Sequence, residues 1–213
     1  MVEEVCREFG ERRKEGLPPV PVSVNISAQD YDYVDVPAKL KEITGKYGLT
    51  PENMIVEITE QDIAEGTEHF KEALKQIRSE GFALWIDDFG SGYSSLNVLS
   101  HYDVDRIKFD MDLVRHLDDH NGANRKILEA MVKVCREVGI RTLAEGVETE
   151  TQLRFLKEIG CDLVQGFYFY KPEPLEVSVQ RFRHRSADIP CESDEERQRF
   201  RELSEAGDPR EVS

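Results

Sequence analysis

Two adjacent aspartates, Asp87 and Asp88, end an apolar run and are followed at once by a glycine-serine-glycine loop, in the stretch LWIDDFGSGYSSL. Neighbouring carboxylates repel each other, and burying them without a partner is costly. Such a pair is useful where two divalent ions sit roughly 3.5–4 Å apart, because one carboxylate can bridge the ions while its neighbour binds a single ion. The pair therefore indicates a metal site at the end of a strand.

Polar residues also follow the other apolar runs. Six short segments rich in β-branched or apolar residues predict strands, at residues 20–27, 53–60, 83–88, 103–109, 141–144 and 163–169. Residues that could bind an ion or a substrate lie at the ends of all six: Asn25, Glu57, Glu60, Asp87, Asp88, Lys108, Asp110, Glu145, Glu148 and Gln165. Asparagine, aspartate and glutamate oxygens suit Mg²⁺ or Mn²⁺ better than zinc. Glu60 and Asp110 could instead cap helices or pair with lysines.

Helical segments must position these strands. One helix ends at Gly81 and has an apolar face of Phe70, Leu74 and Ile77. A longer helix ends before Gly139, and its predicted apolar face consists of Ile127, Met131, Val134, Cys135 and Val138. Alternating strands and helices predict parallel strands, in either a closed (β/α)₈ barrel or an open doubly wound sheet. No glycine-rich nucleotide loop follows a strand, which weakens the nucleotide-binding open sheets. In a barrel, the carboxyl ends of the strands meet at one mouth, where active sites are built.

Composition restricts the function. The chain has 213 residues, of which 39% are hydrophobic, and its formal net charge is -15. That charge argues against binding to a nucleic acid polymer, because the phosphate backbone attracts lysine and arginine. No apolar run approaches the roughly 20 residues of a membrane span, and the charged N-terminal segment does not resemble a signal peptide. We therefore expect a cytoplasmic protein without membrane insertion, whose four widely spaced cysteines are reduced.

Six motifs resemble, in order and spacing, those of the EAL-domain cyclic-di-GMP phosphodiesterases. They are VSVNIS, VEITE, IDDFGSGYSSL, DRIKFD, LAEGVET and QGFYFYKP, and the similarity runs from about residue 2 to Pro172. The resemblance implies a (β/α)₈ TIM-type barrel that hydrolyses cyclic di-GMP to linear pGpG, using two divalent ions, Mg²⁺ or Mn²⁺. Ser91 stands where threonine is commoner in the family, and Phe167 stands in place of a tyrosine.

The resemblance also implies a set of metal ligands. Asn25, Glu57 and Asp87 correspond to ligands of the first ion. Asp88 and Asp87 together correspond to the pair that reaches both ions, and Glu145 corresponds to a ligand of the second ion. We therefore predict that these five residues form the metal site.

Further residues correspond to catalytic and substrate-binding positions. Lys108 corresponds to the lysine near the attacking water, which it would orient or help to deprotonate. Glu148 corresponds to the glutamate that steadies the loop after the aspartates, while Gln165 and Pro172 correspond to the motif beside the substrate pocket. The predicted catalytic set is Lys108, Glu145 and Glu148, and the predicted substrate-binding set is Gln165, Pro172 and Asp88.

One motif of the family is absent. The motif that gives the family its name, a Glu-Ala-Leu on an early strand followed by leucine and arginine, has no counterpart here. We expect the first two strands, one metal-binding glutamate and a substrate-contacting arginine to be missing with it, so the barrel is incomplete, with six strands. A fragment of a longer protein, a misassigned start and a degenerate relative all fit the sequence. We expect slow hydrolysis or none, and the alternative is a non-catalytic scaffold that binds cyclic di-GMP or a protein.

The domain organisation is predicted from a change in amino-acid composition along the chain. Residues 1–183 are predicted to form the barrel domain, and residues 184–213 an acidic C-terminal extension that is partly helical or disordered, because it contains few apolar residues. An open barrel exposes unpaired strand edges, which promote association. We therefore expect a homodimer, formed through the loop at residues 89–96 or through those edges.

Overall fold

The computed structural model describes residues 1–14, 21–91, 99, 102–174 and 177. Six parallel strands form one sheet in sequence order. They are β1 (Val22–Asn25), β2 (Met54–Thr59), β3 (Ala83–Phe89), β4 (Arg106–Phe109), β5 (Arg141–Ala144) and β6 (Leu163–Val164). In a doubly wound sheet the strand order reverses, and here it does not. The prediction of an incomplete (β/α) barrel is therefore confirmed, and the open doubly wound alternative is excluded. Both residues 92–98 and the predicted extension at residues 184–213 lie outside the described residues.

Helices connect the strands and cover one face of the sheet. In the described part of the chain they are α1 (Val2–Lys14), α2 (Asp30–Tyr33), α3 (Val36–Lys46), α4 (Glu60–Glu65), α5 (Glu68–Ser79), α6 (Met111–Arg115), α7 (Asp119–Glu137) and α8 (Glu150–Ile159). A capping box of Thr149 and Gln152 begins α8. None of the helices within these described ranges combines the length and apolar character needed to cross a membrane.

The two faces of the sheet differ in polarity because side chains alternate along a strand. One face is apolar and packs against the helices, with Val56, Ile86 and Ile107 fully buried. From α5, the predicted face of Phe70, Leu74 and Ile77 joins the same core. The opposite face carries the polar residues near the strand ends. The alternation therefore separates the core from the candidate site.

The predicted apolar face of α7 is right for Cys135 and Met131, which pack on the core, and wrong for the other three residues. Ile127, Val134 and Val138 are 48%, 37% and 54% exposed, whereas Leu128 and Val132 are buried. Both sets recur at helical spacing, one residue apart, so α7 carries two adjacent apolar stripes. The helix packs against β5 and α8 through the stripe that also contains Cys135. Tertiary packing, rather than periodicity, selects which stripe is buried.

Strand β6 is shorter than predicted. It ends at Val164, and residues 166–169 form a turn in which the amide of Phe169 donates to the carbonyl of Gly166. A β-carbon on Gly166 would lie 2.2 Å from the carbonyl oxygen of Val147. Only glycine fits this close approach of two backbone segments, and the approach ends the strand.

The letters Glu-Ala-Leu do occur in the chain, at Glu72–Leu74, but not on a strand. These residues lie in α5, where Ala73 and Leu74 are buried in the core. The side chain of Glu72 is 74% exposed and pairs with Lys75 at 3.1 Å. This tripeptide is therefore part of an amphipathic helix and is not the strand motif of the family.

Candidate metal and substrate site

Three carboxylates converge on the ammonium group of Lys108 at the polar face of the sheet. Lys108 Nζ lies 2.9 Å from Asp87 Oδ1, 3.0 Å from Glu145 Oε1 and 3.3 Å from Glu57 Oε2. The side chains of Lys108 and Glu57 are 9% and 5% exposed, and those of Asp87 and Glu145 are 14% and 19% exposed. Four residues that the sequence predicted as functional thus form one largely buried cluster.

Strand register brings these residues together. Glu57 lies on β2, Asp87 on β3 and Lys108 on β4, and Glu145 follows β5 directly. The strands are parallel neighbours, so their carboxyl ends lie side by side. Glycine at position 146 has a φ of +74°, and a β-carbon there would lie 2.6 Å from the Met111 β-carbon. Gly146 therefore lets the chain turn sharply after Glu145.

A β-bulge separates the roles of the two adjacent aspartates. The pairing of β3 with β4 shifts register between Ile86 and Phe89, and Asp88 has a φ of +55°. Without the extra residue, strict alternation would turn Phe89 away from the core, but Phe89 is fully buried and Asp88 is exposed. Asp87 joins the Lys108 cluster, whereas Asp88 lies beside Asp110.

The cluster changes the acidity of its members. Burial alone would lower the pKa of Lys108, but the hydrogen bond to Asp87 and the charges of Glu57 and Glu145 outweigh burial and raise that pKa. Burial raises the pKa of Glu145, an effect that the nearby Lys108 only partly opposes. Burial and the charges of Asp87 and Asp110 raise the pKa of Asp88. Lys108 is therefore held as a cation, which donates hydrogen bonds and has no lone pair with which to accept a proton.

The remaining predicted residues surround the cluster without joining it. Asn25 is exposed and pairs in register with Glu57 across β1 and β2. The side chains of Gln165 and Pro172 are also exposed, and the backbone of Gln165 bonds to Ala144 and Val147. Their roles in binding substrate stay predictions.

Glu60 holds the described start of the loop after the aspartates. Its Oε2 accepts a hydrogen bond from the Gly90 amide at 3.0 Å, and the residue is 1% exposed. Glu148, the residue predicted for this role, is exposed and receives a hydrogen bond from Arg115 Nη2 at 3.0 Å. The sequence predicted Glu60 as an ion or substrate ligand, or alternatively as a helix cap or a lysine partner. Its contact with Gly90 was missed because the two residues are 30 positions apart in the chain.

Asp110 serves as the helix cap that the sequence allowed. Its Oδ1 accepts a hydrogen bond from the Asp112 amide at 2.7 Å, at the N-terminus of α6. The negative charge of a carboxylate at this position also interacts favourably with the positive end of the helix dipole.

The carboxylates of the cluster, Glu57, Asp87 and Glu145, fit a hard divalent cation in type because they offer only oxygen atoms, and the amide oxygen of the neighbouring Asn25 is of the same kind. Their present arrangement is centred on the Lys108 ammonium instead. Within the residues that the structure describes, no three acidic, histidine or cysteine side chains are grouped closely enough to hold an ion as they stand. The chemistry fits a metal, and the arrangement would have to tighten around it.

Family comparison decides the membership of the chain. The EAL domain family matches residues 1–172, which is most of the 213 residues. The chain belongs to the EAL-domain family. The predicted relationship is confirmed.

One relative of this chain is named as a cyclic di-GMP phosphodiesterase. The chain is 31% identical over 176 residues to the bifunctional diguanylate cyclase/cyclic di-GMP phosphodiesterase MucR of Pseudomonas aeruginosa, covering 83% of this chain and 26% of that protein. It thus spans about a quarter of that relative's length.

Solved EAL structures share the fold. The MucR phosphodiesterase in complex with c-di-GMP is 30% identical, with a TM-score of 0.75, and covers 83% of this chain and 71% of that one. The manganese and cyclic-di-GMP complex of Klebsiella pneumoniae BlrP1 is 32% identical, with a TM-score of 0.69, and covers 78% of this chain and 43% of that one. Both of these similar proteins are thus found with cyclic di-GMP, and BlrP1 also with manganese.

Proposed function

We propose that this EAL domain binds cyclic di-GMP and hydrolyses it to linear pGpG with two divalent ions, Mg²⁺ or Mn²⁺. The observation that carries the proposal is the convergence of Glu57, Asp87 and Glu145 on Lys108, at the ends of adjacent parallel strands. The similarity to a cyclic-di-GMP complex supports the choice of substrate.

The metal site would consist of Asn25, Glu57, Asp87, Asp88 and Glu145. Divalent ions bound there would lower the pKa of an attacking water and neutralise charge on the phosphate. Burial of the carboxylates strengthens their interactions with any cation, because little water screens them.

Lys108 would orient the attacking water rather than deprotonate it. Its ammonium lies among the proposed ligands at the strand ends, and an ammonium can donate hydrogen bonds to a water or a phosphate oxygen. Of the two roles considered for this lysine, the orienting role is the one we propose.

The substrate would lie against the exposed groups around the cluster. Asp88 and Gln165 are exposed at or beside the ends of their strands, and Pro172 is exposed beyond the turn that follows β6. Glu60 would hold the beginning of the loop beside the substrate through its bond to Gly90. Glu148 stays a proposed positioning residue, acting together with Arg115.

Activity of the 213-residue chain is proposed to be slow, because the name motif of the family has no counterpart on its strands. A displacement of about 1 Å in a catalytic group can cost on the order of 100-fold in rate. A chain extended upstream by an EAL strand should convert cyclic di-GMP to pGpG faster than this chain does.

Product analysis tests the proposed hydrolysis. Cyclic di-GMP is incubated with Mn²⁺ and each protein, and the nucleotides are separated by chromatography. We expect pGpG from the extended chain, none from its Glu57→Gln variant, and an undiminished yield from its Lys75→Ala variant, whose lysine is exposed on α5. Rapid hydrolysis by the 213-residue chain itself would show that another carboxylate replaces the absent glutamate.

A binding module without catalysis is the second candidate. The observation in its favour is that the Glu-Ala-Leu strand motif of the family, with its metal-binding glutamate, has no counterpart on the described strands of this chain. Under this alternative, the extended chain binds cyclic di-GMP in a calorimeter but releases no pGpG.

We also propose a homodimer and a cytoplasmic location. The edges of β1 and β6 support the first proposal, because unpaired strands in the described sheet can pair with a second copy. We propose cyclic di-GMP, rather than a nucleic acid polymer, as the partner. The net charge of -15 supports this choice, because a polymer of phosphates is bound by clusters of lysine and arginine.

A further inference from the structure

The charge of the Lys108 cluster is only partly balanced. Counted at the usual charges of these groups at neutral pH, three carboxylates contribute -3 and the ammonium contributes +1, so -3 plus 1 leaves -2 in a site that is mostly closed to water. One divalent cation carries the opposite charge. The cluster can therefore exist in two states, with the ammonium alone or with a metal ion in addition.

The two cations cannot share the centre of the cluster. The ammonium nitrogen lies 2.9–3.3 Å from the three carboxylate oxygens, whereas Mg²⁺ needs oxygens at about 2.0–2.1 Å. An ion at this centre would therefore need the carboxylate oxygens closer than the ammonium holds them. Two positive charges at one centre would also repel each other strongly in a site of low dielectric constant.

Lys108 has the means to leave the centre. Its flexible four-carbon stem allows the ammonium to swing, since lysine binds as a point charge without fixed geometry. Asp88 lies near enough to interact with the Lys108 charge and is exposed. With a single ion at the centre and none on Asp88, this carboxylate would be a second partner for the displaced ammonium at the edge of the site.

We propose that Lys108 is an exchangeable counter-ion, which holds the three carboxylates in the metal-free protein and leaves their centre when a divalent ion binds. The inference rests on the proposed metal-dependent function. It gives Lys108 a second role, in metal binding, which is separate from orienting the attacking water. Lys108 stabilises the metal-free domain and weakens its affinity for the ion, because displacement of the ammonium is part of metal binding.

The test measures metal affinity and stability in the same variants. Free Mn²⁺ is followed by electron paramagnetic resonance in titrations of the wild type, Lys108→Met and Lys75→Met, and unfolding by urea is followed in EDTA. Lys75 is the matched control, because its loss removes the same charge from an exposed pair on α5. Asp87→Asn reports whether the metal binds at this site.

We expect Lys108→Met to bind Mn²⁺ about tenfold more tightly than the wild type, within the range usual for coupled sites. Its urea midpoint in EDTA should fall, and Lys75→Met should change neither quantity. If Lys108→Met does not fold in EDTA, its affinity is measured from the Mn²⁺ concentration that restores the fold, and the same comparison is made with Lys108→Gln.

One outcome overturns the counter-ion role and leaves the proposed function intact. In it, the wild type binds Mn²⁺, Asp87→Asn abolishes this binding, and both Lys108 variants bind Mn²⁺ no more tightly than the wild type. Absence of Mn²⁺ binding in the wild type and in both Lys108 variants overturns the counter-ion role together with the metal site.

Discussion

Lys108 shows how one side chain can set the electrostatics of a whole site. Its ammonium is almost completely buried, and such a charge is tolerated only because three carboxylates contact it. A buried lysine without partners would lose its proton, whereas here the pKa is raised. Under the proposed function, the same carboxylates would bind the divalent ion, so the metal-free and metal-bound states would use the same residues.

A second buried group predicts a pH effect that is independent of the site. Burial raises the pKa of the Cys135 thiol from 9.0 to about 11. The folded protein therefore keeps a proton that the unfolded chain loses between these values, so this thiol makes the folded state less stable as pH rises from about 9 to about 11.

We expect Cys135→Ala to flatten that decline. The free energy of unfolding is measured in urea between pH 8 and pH 11, in steps. The wild type should lose up to about 2–3 kcal/mol more than the variant across this range, because each unit of pKa shift corresponds to about 1.4 kcal/mol. Parallel curves for the two proteins would show that the thiol does not resist ionisation in the fold.

At the scale of elements, helix α7 offers the sharpest test of the packing. Val132 is buried and Val134 is 37% exposed on the same helix, so Val132→Ser and Val134→Ser make a matched pair with the same chemical change. Val132→Ser should destabilise the domain by about 1–3 kcal/mol, because it buries a hydroxyl where a methyl group packed. Val134→Ser should change stability by less than about 0.5 kcal/mol.

Urea unfolding of the two variants checks this expectation. Similar losses of stability in both would show that the outer stripe of α7 is also covered, for example by another copy of the chain. The pair therefore distinguishes a solvent-facing stripe from an interface.

The strands and their polar ends were predictable from sequence because both are local patterns. An apolar run followed by an acidic residue, as at Ile86 and Asp87, needs no knowledge of distant residues. The buried face of α7 was not predictable, because its two stripes have the same spacing and only contact with β5 and α8 selects between them. The end of β6 depends on the contact between Gly166 and Val147, which lie on different segments.

The sequence predicted which carboxylates belong to the candidate site, but it did not predict that the Lys108 ammonium lies between them. Residue types indicated Glu57, Asp87 and Glu145 as ligands, but spacing along the chain gives no distances between strands. The position of Lys108 among them, and the bond from Gly90 to Glu60, arise from strand register and from the bulge at Asp88.

At the scale of the whole molecule, the open sheet predicts association. The described sheet has β1 and β6 as edges, and an exposed strand edge can pair with another chain. We expect sedimentation equilibrium at micromolar concentration to show a dimer or a larger species. Ser23→Lys on β1 should weaken that association if β1 forms the contact, because a charge on an edge strand opposes pairing. A monomer in the wild type, with cooperative unfolding, would contradict the prediction.

The central claim is that the carboxylates around Lys108 bind divalent ions that in turn hold cyclic di-GMP. The most direct measurement is a calorimetric titration of cyclic di-GMP into the wild type and Asp87→Asn, each in Mn²⁺ and in EDTA, with Lys75→Met as the control. We predict saturable binding by the wild type and the control in Mn²⁺, and binding at least about tenfold weaker in EDTA or in Asp87→Asn, since the phosphates then meet an uncompensated acidic site. Binding of equal strength in all four conditions of the wild type and Asp87→Asn would contradict the account.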